Sequence, residues 1–295
     1  MKNIGGQAVI EGVMMKSPRG WTVAVRDQKG DIHIKREFLR KLPGFLHLPF
    51  IRGCVGLYHA LAIGMKAIEF SASKAYSTEE EKPMSKTAIA STMGVALLIG
   101  IGLFLFLPLY LTKLAGHVVG TITTSSLVFN LTDGVIRVFI FLFYVSVIGL
   151  WKDMRRIFEY HGAEHKVIHA YEAGKQLDVE NVRIFSPHHP RCGTSFLLIV
   201  MVMSILIFSF IPQSWPFGGK FLSRLVLIPV IAGTSYELLR VSAKMKENTL
   251  IHLMILPGLM LQRLTTREPD DSQIEVAIKA VNEVLQLEVN NAPEA

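Results

Sequence analysis

Residues 87 to 112, TAIASTMGVALLIGIGLFLFLPLYLT, contain no charged side chain. A run of that length narrows the choice of fold, because roughly 20 apolar residues of helix cross the hydrocarbon core of a bilayer. In that medium every backbone N–H and C=O must be paired, and a helix does so within a single segment. Three further apolar runs follow. One spans about 134 to 151 with Arg137 near its outer end, and the next is TSFLLIVMVMSILIFSFI at 194 to 211. The last, about 222 to 241, has Arg224 near one end and Glu237 and Arg240 near the other. Half of all residues are apolar and only 19% are charged, below the quarter usual in soluble domains. The expected fold is mainly α: a polytopic membrane protein with about four transmembrane helices within 87 to 241.

The loops set the expected orientation. Residues 113 to 132 hold only Lys113 and residues 212 to 221 only Lys220. Residues 152 to 193 hold Lys152, Arg155, Arg156, Lys166, Lys175, Arg183 and Arg191. By the positive-inside rule that loop is cytoplasmic, and four crossings put both termini on the same side. The start, MKNIGGQAVIEGVMMKSP, interrupts its apolar stretch with Gln7, Glu11 and glycines, so no cleavable signal is expected.

The flanking regions have other characters. Residues 1 to 47 read as a small β-rich cytoplasmic region, in which WTVAVRD and DIHIKRE alternate around Gln28, Lys29 and Gly30 as a hairpin. Residues 48 to 76 repeat apolar positions at helical spacing but include Arg52, His59, Lys66 and Glu69. That pattern predicts an amphipathic helix along the membrane surface, with a tilted or re-entrant segment as the alternative. The polar run STEEEKPMSK then separates this segment from the first span.

Beyond the fourth run, residues 249 to 264 are apolar but interrupted by Pro257 and Gly258, which predicts an interfacial or re-entrant segment. Residues 265 to 295 predict a cytoplasmic helix. Ser272 and Glu275 offer a capping box ahead of the stripe Ile274, Ala277, Ile278, Val281 and Leu285, and the last residues, NNAPEA, read as frayed.

The formal charge of +7 is spread along the polar segments, which suits anionic lipid and gives no nucleic-acid signature. The lipid bilayer is thus the expected partner, with other membrane proteins or a homo-oligomer as further candidates and no nucleic acid. Two cysteines, Cys54 and Cys192, lie far apart outside any CxxC pattern, so no disulfide framework is expected.

The chemistry concentrates in YHGAEHKVIHAYEAGK, residues 160 to 175. On a helix with His161 at zero, His165 falls near 40°, Glu172 near 20°, Glu164 near minus 60° and His169 near 80°, at about 100° per residue. All five share one face. His161, Glu164 and His165 form an H-x-x-E-H pattern, in which two imidazoles one turn apart bind zinc and the glutamate serves as base. A second stretch, SPHHPRCGTS at 186 to 195, contains His188, His189 and Cys192 between and after two prolines. His189 or Cys192 is placed to supply a third ligand, and a thiol at a helix N-terminus is also a candidate nucleophile. The bland alternatives are a solvated polar face, a rigid proline elbow, an inert thiol, and a Glu237–Arg240 ion pair.

GGQAVIEGVMM at 5 to 15, YHGAEHKVIHAYE at 160 to 172, HPRCGTSF at 189 to 196 and LQRLTTREPDD at 261 to 271 together resemble the YqhQ family of bacterial membrane proteins. The similarity extends over essentially the whole chain. That family is a domain of unknown function bearing the label predicted metal-dependent enzyme. The resemblance implies a metal site that includes His161, Glu164, His165, His189 and Cys192, and it directs attention to Gln7 and Glu11. For those two the alternative is a glycine-permitted turn at Gly5, Gly6 and Gly12.

The functional expectation is a multi-pass protein of the bacterial inner membrane whose cytoplasmic face holds one divalent metal, zinc first. The ligands are His161, His165 and His189, with Glu164 as base; His169, Glu172, His188, Cys192, Glu237 and Glu11 are additional candidates. The matching reaction is metal-assisted hydrolysis of a membrane-associated substrate. The alternative is a non-enzymatic scaffold or biogenesis factor with a structural metal or none. A transporter is disfavoured, because the ionisable residues of the apolar runs read as lying near membrane ends.

Overall fold

A computed structural model describes residues 4–40, 43–76, 86–190, 192–244 and 249–289. The polar run at 77 to 85, Arg191 and the NNAPEA end lie outside the described residues. Four strands open the chain: β1 (Gly5–Val9), β2 (Gly12–Lys16), β3 (Gly20–Arg26) and β4 (Ile32–Phe38). They form an antiparallel sheet in sequence order. The expected hairpin is β3–β4, with Arg26 opposite Ile32. Its turn closes because Asp27 Oδ1 accepts the Lys29 and Asp31 amides, each at 2.9 Å, and Gly30 takes a φ of +93°.

Eleven helices follow among the described residues. They are α1 (Ile51–Ala75), α2 (Lys86–Ile101), α3 (Leu107–Val118), α4 (Ser126–Ile148), α5 (Lys152–Glu172) and α6 (Val179–Arg183). Beyond them come α7 (Gly193–Phe208), α8 (Phe217–Val226), α9 (Ile228–Lys244), α10 (Thr249–Thr265) and α11 (Asp271–Val289).

The sheet is covered on both faces. Val13, Met15 and Ala24 pack against Tyr160, Ala163 and Val167 of α5 and Ile274, Ala277 and Val281 of α11. Val9, Met14, Trp21, Val23 and Val25 pack against Ile63 and Ala67 of α1. β3 is therefore buried from Gly20 through Val25, although its sequence alternates. The polar Thr22 is accommodated by donating to the Ala280 carbonyl at 2.8 Å. The buried stripe of α1 thus faces protein, while Tyr58, Leu61, Met65 and Ile68 stay exposed.

The C-terminal helix docks on this sheet, held at its far end by Ser17 Oγ donating to Glu288 at 2.7 Å. Its cap lies two residues before the expected one. Asp270 Oδ1 accepts the Gln273 amide at 2.9 Å and Gln273 Oε1 accepts the Asp270 amide at 3.0 Å, a reciprocal capping box. Ser272 instead donates to Asp270, and Glu275 pairs with Arg26 of β3. Tertiary pairing took the expected acidic partner away.

Among the described residues two helices are long and apolar enough to cross a bilayer, Ser91–Val118 and Ser126–Ile148; a bent pair, Phe217–Val226 with Ile228–Val241, makes a third if it counts as one span. The expectation of four spans is corrected on this criterion. The first helix runs through a π-helical turn at Gly102–Phe106, just before Pro108, whose missing N–H interrupts the regular ladder. The apolar stretch of α7, Phe196–Phe208, is short. At 1.5 Å per residue it covers roughly 20 Å of a core about 30 Å thick. The bent pair turns by 44° where Pro229 opens the second limb. The backbone of α10, by contrast, stays helical through Pro257.

The second span begins at Ser126 rather than 134, so Arg137 is mid-helix instead of near an outer end. Asp133 of α4 pairs with both Arg137 and Arg224 of α8, the latter at 2.5 Å. Arg224 also donates to Asn130 at 2.9 Å and Arg137 to Ser204 of α7 at 2.8 Å. The Phe208 ring lies 4.9 Å from the Arg137 guanidinium and 5.1 Å from that of Arg224. All three charges are buried. The expectation that ionisable groups lie only near membrane ends is thereby corrected: an isolated charge would be prohibitive there, but a paired one is not.

Candidate metal centre

α5 is polar on nearly every turn, and burial selects among its polar residues. His161, His165 and His169 succeed one another at four-residue spacing, which stacks them on one side. Glu164 and His165 are almost wholly buried. Opposite them runs the segment 186–190, whose two prolines fix the direction of its carbonyls. His165 Nδ1 donates to the Pro187 carbonyl at 2.6 Å and His169 Nε2 to the His188 carbonyl at 2.9 Å. His161 Nδ1 donates to the Thr265 carbonyl of α10 at 2.9 Å. Backbone carbonyls thus fix the tautomers of His161 and His165 and leave both Nε2 lone pairs available, the arrangement usual around metal-binding imidazoles.

Those lone pairs converge with a sulfur. His161 Nε2 lies 3.2 Å from Cys192 Sγ, and the His161 and His165 ring centroids are 4.4 Å apart. One donor atom each from His161, His165 and Cys192 lies within 4.8 Å of the others. Tetrahedral zinc, with nitrogen at 2.0–2.1 Å and sulfur at 2.3 Å, needs donors roughly 3.3–3.6 Å apart, so the widest gap must close by roughly 1 Å.

Two observations test the fit. His165 Nε2 is buried without a hydrogen-bond partner among the described residues, on a side chain only 1% exposed. Burial, reinforced by the neighbouring His161, holds this imidazole neutral by pushing its pKa down to about 2. Cys192 caps α7, with the Thr194 amide directed at its sulfur at 3.4 Å. A neutral imidazole with an unused lone pair beside a capped sulfur is a donor set suited to zinc.

The family described as Protein of unknown function (DUF1385) matches residues 48–287. This chain belongs to that family. A relative described as Uncharacterized protein YqhQ, from Bacillus subtilis (strain 168), is 34% identical over 301 aligned positions, covering 96% of this chain and 92% of the relative. No solved structure matches the chain.

In this DUF1385 protein the remaining candidates separate into groups. Glu164 adjoins the donor set. Its carboxyl accepts the Gly6 amide of β1, and burial pushes its pKa up to about 8 against the opposing pull of His161. Gly6 is there for room: a Cβ would lie 2.9 Å from Glu164 Cδ and 2.8 Å from the Met14 carbonyl. His189, the expected third ligand, sits one step further along. Its ring is 5.8 Å from that of His165 and 4.4 Å from that of His169, and its Nε2 is 3.5 Å from Glu172 Oε2. Cys192 closes the group in its place.

Other candidates lie elsewhere. His188 contributes its carbonyl to His169, and its own amide bonds Ser186 Oγ at 3.1 Å. Glu237 pairs with Arg52 of α1 and accepts the Phe50 amide, rather than facing the histidines or forming the anticipated local pair with Arg240. Glu11 occupies the β1–β2 turn at a φ of +50° and accepts two bonds of 2.5 Å from the Arg156 guanidinium of α5. Gln7 packs over Gly64 of α1.

Sequence reasoning missed Gln262. Fully buried in α10, it donates to the His189 carbonyl at 2.9 Å and accepts the His189 amide at 2.8 Å. Those paired bonds set the course of the ligand loop. The one sequence signal was its place within LQRLTTREPDD, in an otherwise apolar helix.

Proposed function

We propose that this protein is a membrane-associated metalloprotein that holds one divalent cation, zinc by donor chemistry, on His161, His165 and Cys192. The observation that carries the reading is the buried Nε2 of His165, without a hydrogen-bond partner among the described residues, beside the His161–Cys192 pair. An acceptor in that state costs free energy unless something occupies its lone pair. The reaction class that suits the group is hydrolysis of a membrane-associated lipid or peptide. When bound, zinc would supply Lewis acidity. Glu164, with a pKa near 8, exchanges a proton close to neutrality, and the Gly6 amide orients its carboxyl. The Lys/Arg-rich segment 152 to 193 supports a cytoplasmic position for the centre and for both termini at a bacterial inner membrane.

A second reading has its own support. His165 and Cys192 are both buried, as a structural site would be. The protein would then be a scaffold for membrane proteins or a homo-oligomer.

Elemental analysis of the purified protein tests the ligand set. About one equivalent of zinc is expected in the native chain, with loss in His161→Ala, His165→Ala and Cys192→Ala and retention in His189→Ala. Equal metal content in all of them rejects the site. Glu164→Gln then separates the readings: a hydrolase loses its physiological function with zinc retained, whereas a scaffold keeps both.

A further inference from the structure

A separate cleft of about 820 Å³ lies between the edge of the sheet, α1 and α9. Its lining includes Lys16, Arg40, His47, Arg52, His59 and Arg240, and among the described residues no carboxylate. Among the described residues two acids stand close by and both are already held: Glu237 by Arg52 and the Phe50 amide, and Glu288 by the Ser17 hydroxyl and the Arg19 amide. Lys16 and Arg40 make no ion pair among the described residues. Four formal cations thus line the cleft against two carboxylates that are already bonded, an imbalance that calls for an anion. Burial also lowers the pKa of Lys16, so an arriving negative charge would relieve its desolvation.

The position of the cleft narrows the choice of anion. Tyr236 and Arg240 stand near the end of α9, the second limb of the bent apolar pair that ends at Val241. An aromatic ring and basic groups at the end of an apolar helix mark the headgroup level of a bilayer. Val55 and Tyr236 add apolar wall to the cationic one, and α1 continues with the exposed apolar residues Tyr58, Leu61 and Met65. A soluble metabolite requires no such flank, whereas a lipid does.

We infer that this cleft binds the phosphate headgroup of an anionic phospholipid, with Lys16, Arg40 and Arg240 as its principal contacts. The inference stands apart from the metal centre. It gives a specific place to the basic excess that composition alone attributes to the membrane surface.

The test uses the full-length protein in neutral detergent micelles, exchanged with phosphatidylglycerol or phosphatidylcholine and read by native mass spectrometry. Phosphatidylglycerol should be retained in preference, and the pair Arg40→Gln with Arg240→Gln should lower its affinity roughly thirtyfold, from two lost charges at the membrane surface. The pair Arg40→Lys with Arg240→Lys should keep most of it, and the thermal melt should be unchanged in both pairs, which guards against misfolding. Equal retention of the two lipids, or no effect of the glutamine pair in a folded protein, overturns the inference. Binding of soluble glycerol phosphate as tight as that of the lipid overturns the lipid assignment.

Discussion

The Gly6 amide of β1 donates to the Glu164 carboxyl of α5, joining the N-terminal glycine motif to the H-x-x-E-H helix. A Cβ at Gly6 would meet Met14 O, Met15 Sδ and Glu164 Cδ, all within 2.9 Å. Gly6→Ala must therefore push the β1–β2 hairpin or the glutamate aside. It should lower stability by about 1–3 kcal/mol, as overpacking does, and impair function as Glu164→Gln does. A thermal melt together with functional complementation checks both effects; unchanged behaviour in both assays would show that the contact is dispensable.

Glu164 also governs a pH dependence in metal-free protein. Its pKa is raised from 4.5 to about 8, so between those values the folded chain keeps a proton that the unfolded chain has released. Its contribution to stability therefore falls as pH rises through that window and levels off above it. In chelator-treated samples Glu164→Gln should match the native chain near pH 4 and exceed it at pH 9 by on the order of a few kcal/mol. Parallel melting curves across that range would refute the assignment.

The Asp133–Arg137–Arg224 cluster ties α4 to α8, and Ser204 of α7 joins it. Asp133→Ala leaves two buried guanidiniums without their carboxylate. The expected loss is about 3–5 kcal/mol, seen as early melting in detergent. Replacing Lys152, exposed at the start of α5, should cost less than about 0.5 kcal/mol and serves as the control.

The cap of α11 offers a cleaner comparison between neighbours. Asp270→Ala removes the acceptor for the Gln273 amide and should cost about 1 kcal/mol. Ser272→Ala removes only a hydroxyl bonded to Asp270 and should cost a few tenths at most. Denaturant titration distinguishes them, and equal losses would place the cap at Ser272 after all.

Local pattern carried the reading far in some places. His161 and His165 share a face because four residues are nearly one helical turn, whatever else the chain does. The β3–β4 hairpin follows from Asp27 and Gly30, whose turn chemistry is complete within five residues. Other features depend on partners far away in the chain. On paper His189 is the third ligand and Cys192 an additional candidate, only three residues apart in one loop. Gln262 grips the His189 backbone, and it is the Cys192 sulfur that lies 3.2 Å from His161 Nε2. Glu237 offers Arg240 as a neighbour at helical spacing, yet Arg52 of α1 claims it.

By itself, the sequence determined the apolar helices, the small sheet and the imidazole face of α5, because periodicity and turn chemistry act over a few residues. Tertiary structure decided which sulfur meets those imidazoles, which acid is caged by the Gly6 amide, and which charges are buried between helices. Those outcomes arise from burial, and burial is a property of how distant segments pack rather than of any one of them.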